Sequence, residues 1–307
     1  MPMNADCVIP GEVRPYIGAS GGVPAGSAGK CGYLRLGFEL DGSGRSIMRD
    51  LERRAPIIVQ QELYFDREMP EMPCVYILSS GGPNVDGDRY EQRFTLRKGA
   101  FAHISTGAAT KLAEMRCNYS SMTQHFELDE DAYLEFLPEP TIPCRHTRFV
   151  SRTSIEIAPS ATLFYSEIYT SGRRWFNGER FAFDILSVST EACRPSGERL
   201  FREKFVIEPS VHRPDGRGAM NGCDVFGSAA VLTPAEFADA IWAQTDAFID
   251  RERGLAAGIA RLPGGCGVSY RVLGRDTGDV KRAVREFCST VRRTVKGRPL
   301  FEEFPWR

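Results

Sequence analysis

The sequence predicts a mostly-β fold, a many-stranded antiparallel or β-helix-like single domain that carries two α-helices. Three observations predict it. Short apolar or alternating runs recur roughly every ten to fifteen residues, each bounded by turn formers. The 30 glycines and 19 prolines suit many turns better than many helices. Only two stretches carry a helical period of useful length. At 307 residues, folding should bury roughly 75% of the extended chain's surface, so the core needs no staple.

Residues 1–32 are expected to be a disordered N-terminal segment. Six glycines lie between Gly18 and Gly32, and such a stretch buries too little apolar surface to offset its ordering entropy. The β-rich domain is expected over 33–307. Leu34, Leu36, Phe38 and Leu40 alternate with Arg35, Gly37 and Glu39, a half-buried strand that ends at the turn Asp41-Gly42-Ser43-Gly44. Further strands are expected at 57–64, 74–79, 90–96, 101–105, 123–128, 133–137, 153–157, 162–168, 180–190, 200–207, 223–232 and 267–273. The spacing between them, with no helix-length pattern in the gaps, argues for antiparallel neighbours.

Helices are expected near 234–253 and 278–296. Thr233-Pro234-Ala235-Glu236 reads as a capping box, with Phe237, Ile241 and Phe248 on one face and Gly254 as the stop. In the second helix Val280, Val284, Phe287, Val291 and Val295 recur at spacings of four, three, four and four. Arg292, Arg293 and Lys296 complement the dipole at its end, and Gly297 stops it.

Lys plus Arg is 39 and Asp plus Glu is 40, so the net charge of -1 excludes a sequence-wide pull toward nucleic acid or anionic membrane. No apolar run approaches the ~20 residues of a membrane span, and no secretory signal is visible. The nine cysteines form no Cys-x-x-Cys pair and read as reduced thiols of a soluble cytoplasmic protein.

Chemical motifs are sparse. Gly29-Lys30-Cys31 lacks the upstream glycine, the Ser/Thr and the preceding strand of a phosphate loop. Gly42-x-Gly44 and Gly216-x-Gly218 both lack the third glycine of a dinucleotide fingerprint. His103, His125, His146 and His212 form no local ligand pair, and the reading for each is a surface or satisfied core residue. Carboxylates remain: Asp86 and Asp88 around Gly87, Glu135 and Glu139 around Leu137-Pro138, and Glu167 in an apolar strand, where it must face solvent or be paired. Each alone reads first as a solvated turn acid.

Several stretches stand out together. They are Gly81-Gly82-Pro83-Asn84-Val85-Asp86-Gly87-Asp88, Arg97-Lys98-Gly99-Ala100, and Ser105-Thr106-Gly107-Ala108-Ala109-Thr110-Lys111. Leu134-Glu135-Phe136-Leu137-Pro138-Glu139-Pro140-Thr141-Ile142 follows, then Glu167-Ile168-Tyr169-Thr170-Ser171-Gly172-Arg173 and Gly178-Glu179-Arg180-Phe181. Taken together, these stretches resemble the urease accessory protein family UreD, also called UreH, and the resemblance runs from about Gly32 to Arg307. Departures from the family pattern are Pro83 for leucine, Ser105 for threonine, Leu112-Ala113-Glu114 for an aromatic and an arginine, and Phe136 for tryptophan.

The resemblance implies a β-helix-like fold and a non-enzymatic maturation factor. Such a factor binds apo-urease, the urease structural subunits, together with UreF and the GTPase UreG, and helps nickel reach the urease site. It implies no tightly bound cofactor, only transient nickel. Asp88, Glu139 and Glu167 lie in the matching motifs and are the candidate carboxylates of the nickel path. Thiolate or imidazole clusters would hold nickel too tightly for transfer, whereas scattered carboxylates allow entry and release. Two other classes stay open: a β-rich hydrolase that uses a carboxylate pair on carbohydrate, and a non-catalytic binding module. Arg173 is expected to pair a carboxylate in the core, and Phe301, Phe304 and Trp306 to pack on the sheet or anchor a partner.

Overall fold

The computed structural model describes residues 9–17 and 29–301. Eighteen strands follow in chain order: β1 Cys31–Leu40, β2 Ser46–Arg54, β3 Ile57–Ile58, β4 Cys74–Ser79, β5 Arg89–Leu96, β6 Phe101–Thr106, β7 Thr110–Leu112, β8 Ser120–Leu128 and β9 Tyr133–Phe136. Then come β10 Thr141–Pro143, β11 Arg148–Ile157, β12 Thr162–Thr170, β13 Ile185–Cys193, β14 Arg199–Ile207 and β15 Val225–Leu232. The helix α1 Ala235–Ala243 precedes β16 Phe248–Asp250, β17 Leu255–Arg261 and β18 Gly267–Gly274, and α2 Thr277–Lys296 ends the fold.

The chain winds between two sheets. One has the order β14-β13-β11-β8-β5-β1-β2, and the other β16-β17-β18-β15-β12-β9-β6-β4-β3. From β4 to β13 the longer strands alternate between the sheets, so each turn lays a strand parallel to the one a turn earlier. Tyr90 thus pairs with Met122, 32 residues on, and Ser120 with Phe149, 29 on. The mostly-β class with two α-helices holds. Strand direction is a correction, because β1, β5, β8, β11 and β13 pair in parallel, as do β4, β6, β9 and β12. Antiparallel pairs form the wings. A strand of the opposite sheet supplies the crossover that parallel pairing needs and that a helix usually supplies.

Parallel register stacks like on like. Phe94 lies beside Phe126 with centroids 4.8 Å apart, and Phe136 from the facing sheet stacks on Tyr165 at 5.7 Å. The core between the sheets holds Leu34, Leu36, Ile104, Leu134, Ile157 and Leu163, all 1% exposed or less. Outside the second sheet, α2 buries Val280, Val284, Phe287 and Val291, with Phe287 4.3 Å from the Tyr270 ring. Asp276 caps it through bonds from Gly278 N and Asp279 N at 2.8 and 3.2 Å, and Gly297 turns left-handed at φ 69°. This helix matches its expected limits.

Other boundaries differ. The expected first helix stops at Ala243, where the Thr245 hydroxyl and the Gln244 amide donate to Ile241 O and Ala240 O. Phe248 and Ile249 then belong to β16, and Gly254 leads into β17, which the sequence reading missed. No capping box forms. Thr233 pairs with the Thr162 hydroxyl at 2.8 Å, and Pro234 is the cap. The strand expected at 57–64 shrinks to Ile57–Ile58, and that expected at 180–190 begins at Ile185. The 1–32 segment is not wholly unordered: Gly11–Tyr16 is a 3-10 helix whose Val13 packs with Tyr119, Val150 and Ile185 at 0% exposure. Glu12 ties it down through Ser187 and Lys204, both at 2.6 Å. Phe304 and Trp306 lie outside the described residues.

Val13→Ala should lower the unfolding free energy by on the order of 2 kcal/mol in urea titration, as the loss of a buried methyl pair does. An undocked segment would give no change.

Candidate functional site

The same register that stacks the aromatics also stacks a polar row inside the first sheet. Gln92 pairs with Gln124, Gln124 with Thr153, Thr153 with Thr190, and Thr190 with Glu203. The first four are buried, at 7% exposure or less. Buried polar groups need partners, and these supply one another. Gln124 Nε2 donates to Gln92 Oε1 at 2.9 Å, and the Thr153 hydroxyl meets Tyr165 Oη at 2.8 Å. Both hydroxyls also reach Gln124 Oε1 at 3.3 Å. The row thus runs from Gln92, beside the apolar Leu34, outward to Glu203 at the sheet's far wing.

Glu167 faces this row from β12. Its neighbours across the second sheet are Ser228 and then Arg271. The cleft between the sheets is lined by Tyr165, Glu167, Thr190, Glu203 and Ser228, and its volume of about 10 Å³ has room for about one water. Burial pushes the Glu167 carboxyl above its usual value, while bonds from Tyr169 and Tyr165 oppose it; Glu203 pushes it further up and Arg271 down. Tyr169 Oη donates to Glu167 Oε1 at 2.8 Å. Arg271 forks onto both Glu203 oxygens and reaches the Ser228 hydroxyl. The mouth is therefore two carboxylates, one tied by an arginine and one held by phenols. No sugar ring fits in so small a cleft, and Glu203 is engaged by Arg271.

The three expected carboxylates do not come together. Asp88 is fully buried and takes bonds from Lys30 N at 2.8 Å, Val85 N at 2.9 Å and Tyr90 Oη at 2.9 Å, with Lys30 Nζ at 3.0 Å. It closes the turn in which Gly87 adopts φ 79° against Gly29. Glu139 lies outside the second sheet and accepts from Lys281 of α2 at 2.6 Å. Glu167 alone lines the polar cleft. Among the described residues no group of three or more His, Cys, Asp or Glu could hold a metal ion. Burial raises the thiols of Cys74, Cys144, Cys223, Cys266 and Cys288, which keeps them protonated and poor ligands.

A second polar cluster was missed by the sequence reading. Arg292 of α2 is fully buried and forks onto Glu135, with both contacts at 2.6 Å, and also reaches Asp66. His103 Nδ1 meets Glu135 Oε2 at 2.7 Å, and Tyr133 Oη donates to Glu135 Oε1 at 2.6 Å. Burial alone would raise the Glu135 carboxyl, but the Arg292 guanidinium and His103 hold it far below the usual carboxylate range. Burial lowers the His103 imidazole despite Glu135. The helical reading placed Arg292 in the last turn as a partner of the helix dipole. Its partner Asp66 is 226 residues away, beyond any local pattern. The one available signal is spacing: Gln92 to Gln124 and His103 to Glu135 are both 32 residues, the length of one turn of the winding.

Comparison with known sequences decides the family. The profile described as UreD urease accessory protein matches residues 30–307. The chain belongs to the UreD family. It is 42% identical over 297 residues to the urease accessory protein UreD of Yersinia pseudotuberculosis, covering 96% of this chain and 92% of that one. It is 41% identical over 296 residues to urease accessory protein UreD 2 of Brucella suis, covering 96% and 98%. Within the UreD pattern, two departures are packing positions: Phe136 is 2% exposed against Tyr165, and Leu112 is 0% exposed. Ser105 donates to Leu137 O at 2.7 Å.

Arg292→Leu should cost about 3–5 kcal/mol, because it leaves two carboxylates buried without their cation. Glu135 and His103 both bind protons more weakly folded than unfolded, so unfolding takes up protons and stability drops as the pH is lowered. The His103 contribution is lost from about its ordinary 6.5 downward and the Glu135 contribution from about 4.5 downward. Urea midpoints measured across pH 8 to 4 check this, and His103→Gln should remove the upper step.

Proposed function

We propose that this UreD-family chain is a non-catalytic urease maturation factor that binds apo-urease with UreF and UreG and helps deliver nickel to the urease active site. The family match over 30–307 carries the reading. The inter-sheet cleft supplies its chemistry. Its mouth offers the Glu167 and Glu203 carboxylates, and behind it lie the hydroxyls and amides of Thr190, Thr153, Tyr165, Gln124 and Gln92. All are oxygen and amide donors, which bind nickel less tightly than thiolates or imidazoles do. An ion attracted by the Glu167 carboxylate, beside a Glu203 already paired with Arg271, and passed to neutral oxygens is held weakly enough to leave again.

Of the three carboxylates in the family motifs, Glu167 lines the cleft, which supports giving it this role. Asp88 is bonded within its turn and Glu139 to Lys281, so this reading gives both a scaffolding part in the nickel path. No described helix is long and apolar enough to cross a membrane, and the reading needs none.

Glu167→Gln combined with Glu203→Gln should lower the nickel content and activity of urease matured in cells by about tenfold, the cost of one lost charge-assisted contact or more. The variant chain should still co-purify with the urease subunits. Unchanged nickel loading would remove the cleft from the path.

A further inference from the structure

The loop between β12 and β13 sets two aromatic rings in solvent: Trp175 is 92% exposed and Phe176 52%. Among the described residues Trp175 is the most exposed large apolar side chain. The loop is nonetheless firmly built. At its base Gly172 has φ 141°, and a Cβ there would meet Glu179 O at 2.8 Å, so the two ends of the loop touch. Phe181 N donates to Ser171 O at 2.6 Å. Arg173 forks onto Glu179 at 2.8 and 2.7 Å, outside the core rather than within it as the sequence suggested. Arg174 and Arg180 both grip Asp224, which also accepts from the Ser171 hydroxyl at 3.1 Å. The guanidinium carbons of Arg173 and Arg174 lie 4.2 and 5.0 Å from the Phe176 and Trp175 ring centroids.

Three ion-paired arginines hold an indole of roughly 150–250 Å² in water. Within the loop that ring meets the Arg174 guanidinium and otherwise stands in solvent. A rigid Trp with flanking Arg is the composition of an interface hot spot, and its rigidity lowers the ordering cost of binding. The charge around it is one-sided. Arg145, Arg173, Arg174 and Arg180 lie around the loop's acids Glu179 and Asp224, a balance of four minus two, or +2, while Asp184 at the loop's end is paired with Arg148. The complement is a carboxylate-bearing rim. An anionic bilayer fits less well, because the tip offers only two apolar side chains for insertion.

We propose that this loop is a protein-docking element: Trp175 seats in an apolar pocket of a partner protein, and the arginines around it meet carboxylates on the pocket's rim. The inference rests on the maturation reading in one respect, that the partner is a protein of the urease assembly.

The test uses the full chain, affinity-tagged and co-expressed with its cognate urease gene cluster. Trp175→Ala should reduce one co-purifying cluster protein by about tenfold or more, while Trp175→Phe retains most of it. The thermal midpoint should stay unchanged, because the ring is exposed. Raising salt to about 0.5 M should weaken the wild-type contact. Co-purification within about twofold of wild type for Trp175→Ala would overturn the proposal. So would Trp175-dependent sedimentation with phosphatidylglycerol vesicles, or a Trp175-dependent complex of this chain with itself. Failure of the wild-type chain to restore urease activity to a deletion host would instead sink the maturation reading, and the two results are read separately.

Discussion

Lateral register in the first sheet is the constraint on which the rest depends. Four successive parallel pairings put residue beside residue from β1 through β13. Side chains alternate faces along a strand, so a slip of one residue would turn an entire row from inside to outside. The apolar row of Phe94 and Phe126 fixes the register by burial. The polar row of Gln92, Gln124, Thr153 and Thr190 then has no choice but to lie inside. A satisfied row of amides and hydroxyls costs little, whereas a broken one would be expensive. Core packing and a polar lane between the sheets are thus two results of one geometry.

The second sheet needs a different device. Its outer face is covered by α2, whose valines pack on β12, β15 and β18. Arg292 then reaches from that helix to Glu135 in β9 and to Asp66 in the segment after β3. One side chain links three parts of the chain that are far apart in sequence. Such buried charges add little net stability over an apolar core, but losing one member leaves the others stranded. The cluster specifies where α2 sits, and α2 carries Lys281, the partner of Glu139.

Much of this was legible in the residues. Alternation marked most strands, and the valine spacing with Gly297 marked α2 at both ends. What was not legible depended on distance. Parallel pairing places residues about thirty apart side by side, and no local pattern announces that. Thr233 looked like a cap, yet its hydroxyl found Thr162 in β12. Asp88 looked like a metal carboxylate because of its motif, but the backbone amides of Lys30 and Val85 engage it. Glu167 was legible as an anomaly, an acid in an apolar strand, and the anomaly marked the cleft. Glu203 and Arg271 were hidden, since each reads as an ordinary exposed-face residue of its own strand.

Three features of the fold agree with the proposed maturation role. The wound sheets make a wall, the polar row offers weak oxygen and amide donors, and burial keeps the Cys74 and Cys288 thiols protonated. The central claim is that nickel reaches urease with the help of this chain. Its most direct test is the metal content of urease purified from a host that lacks the gene, with nickel supplied at ordinary levels. The account predicts urease that is assembled, poor in nickel and inactive, with both properties restored by the intact chain. Fully nickel-loaded, active urease from that host would contradict it.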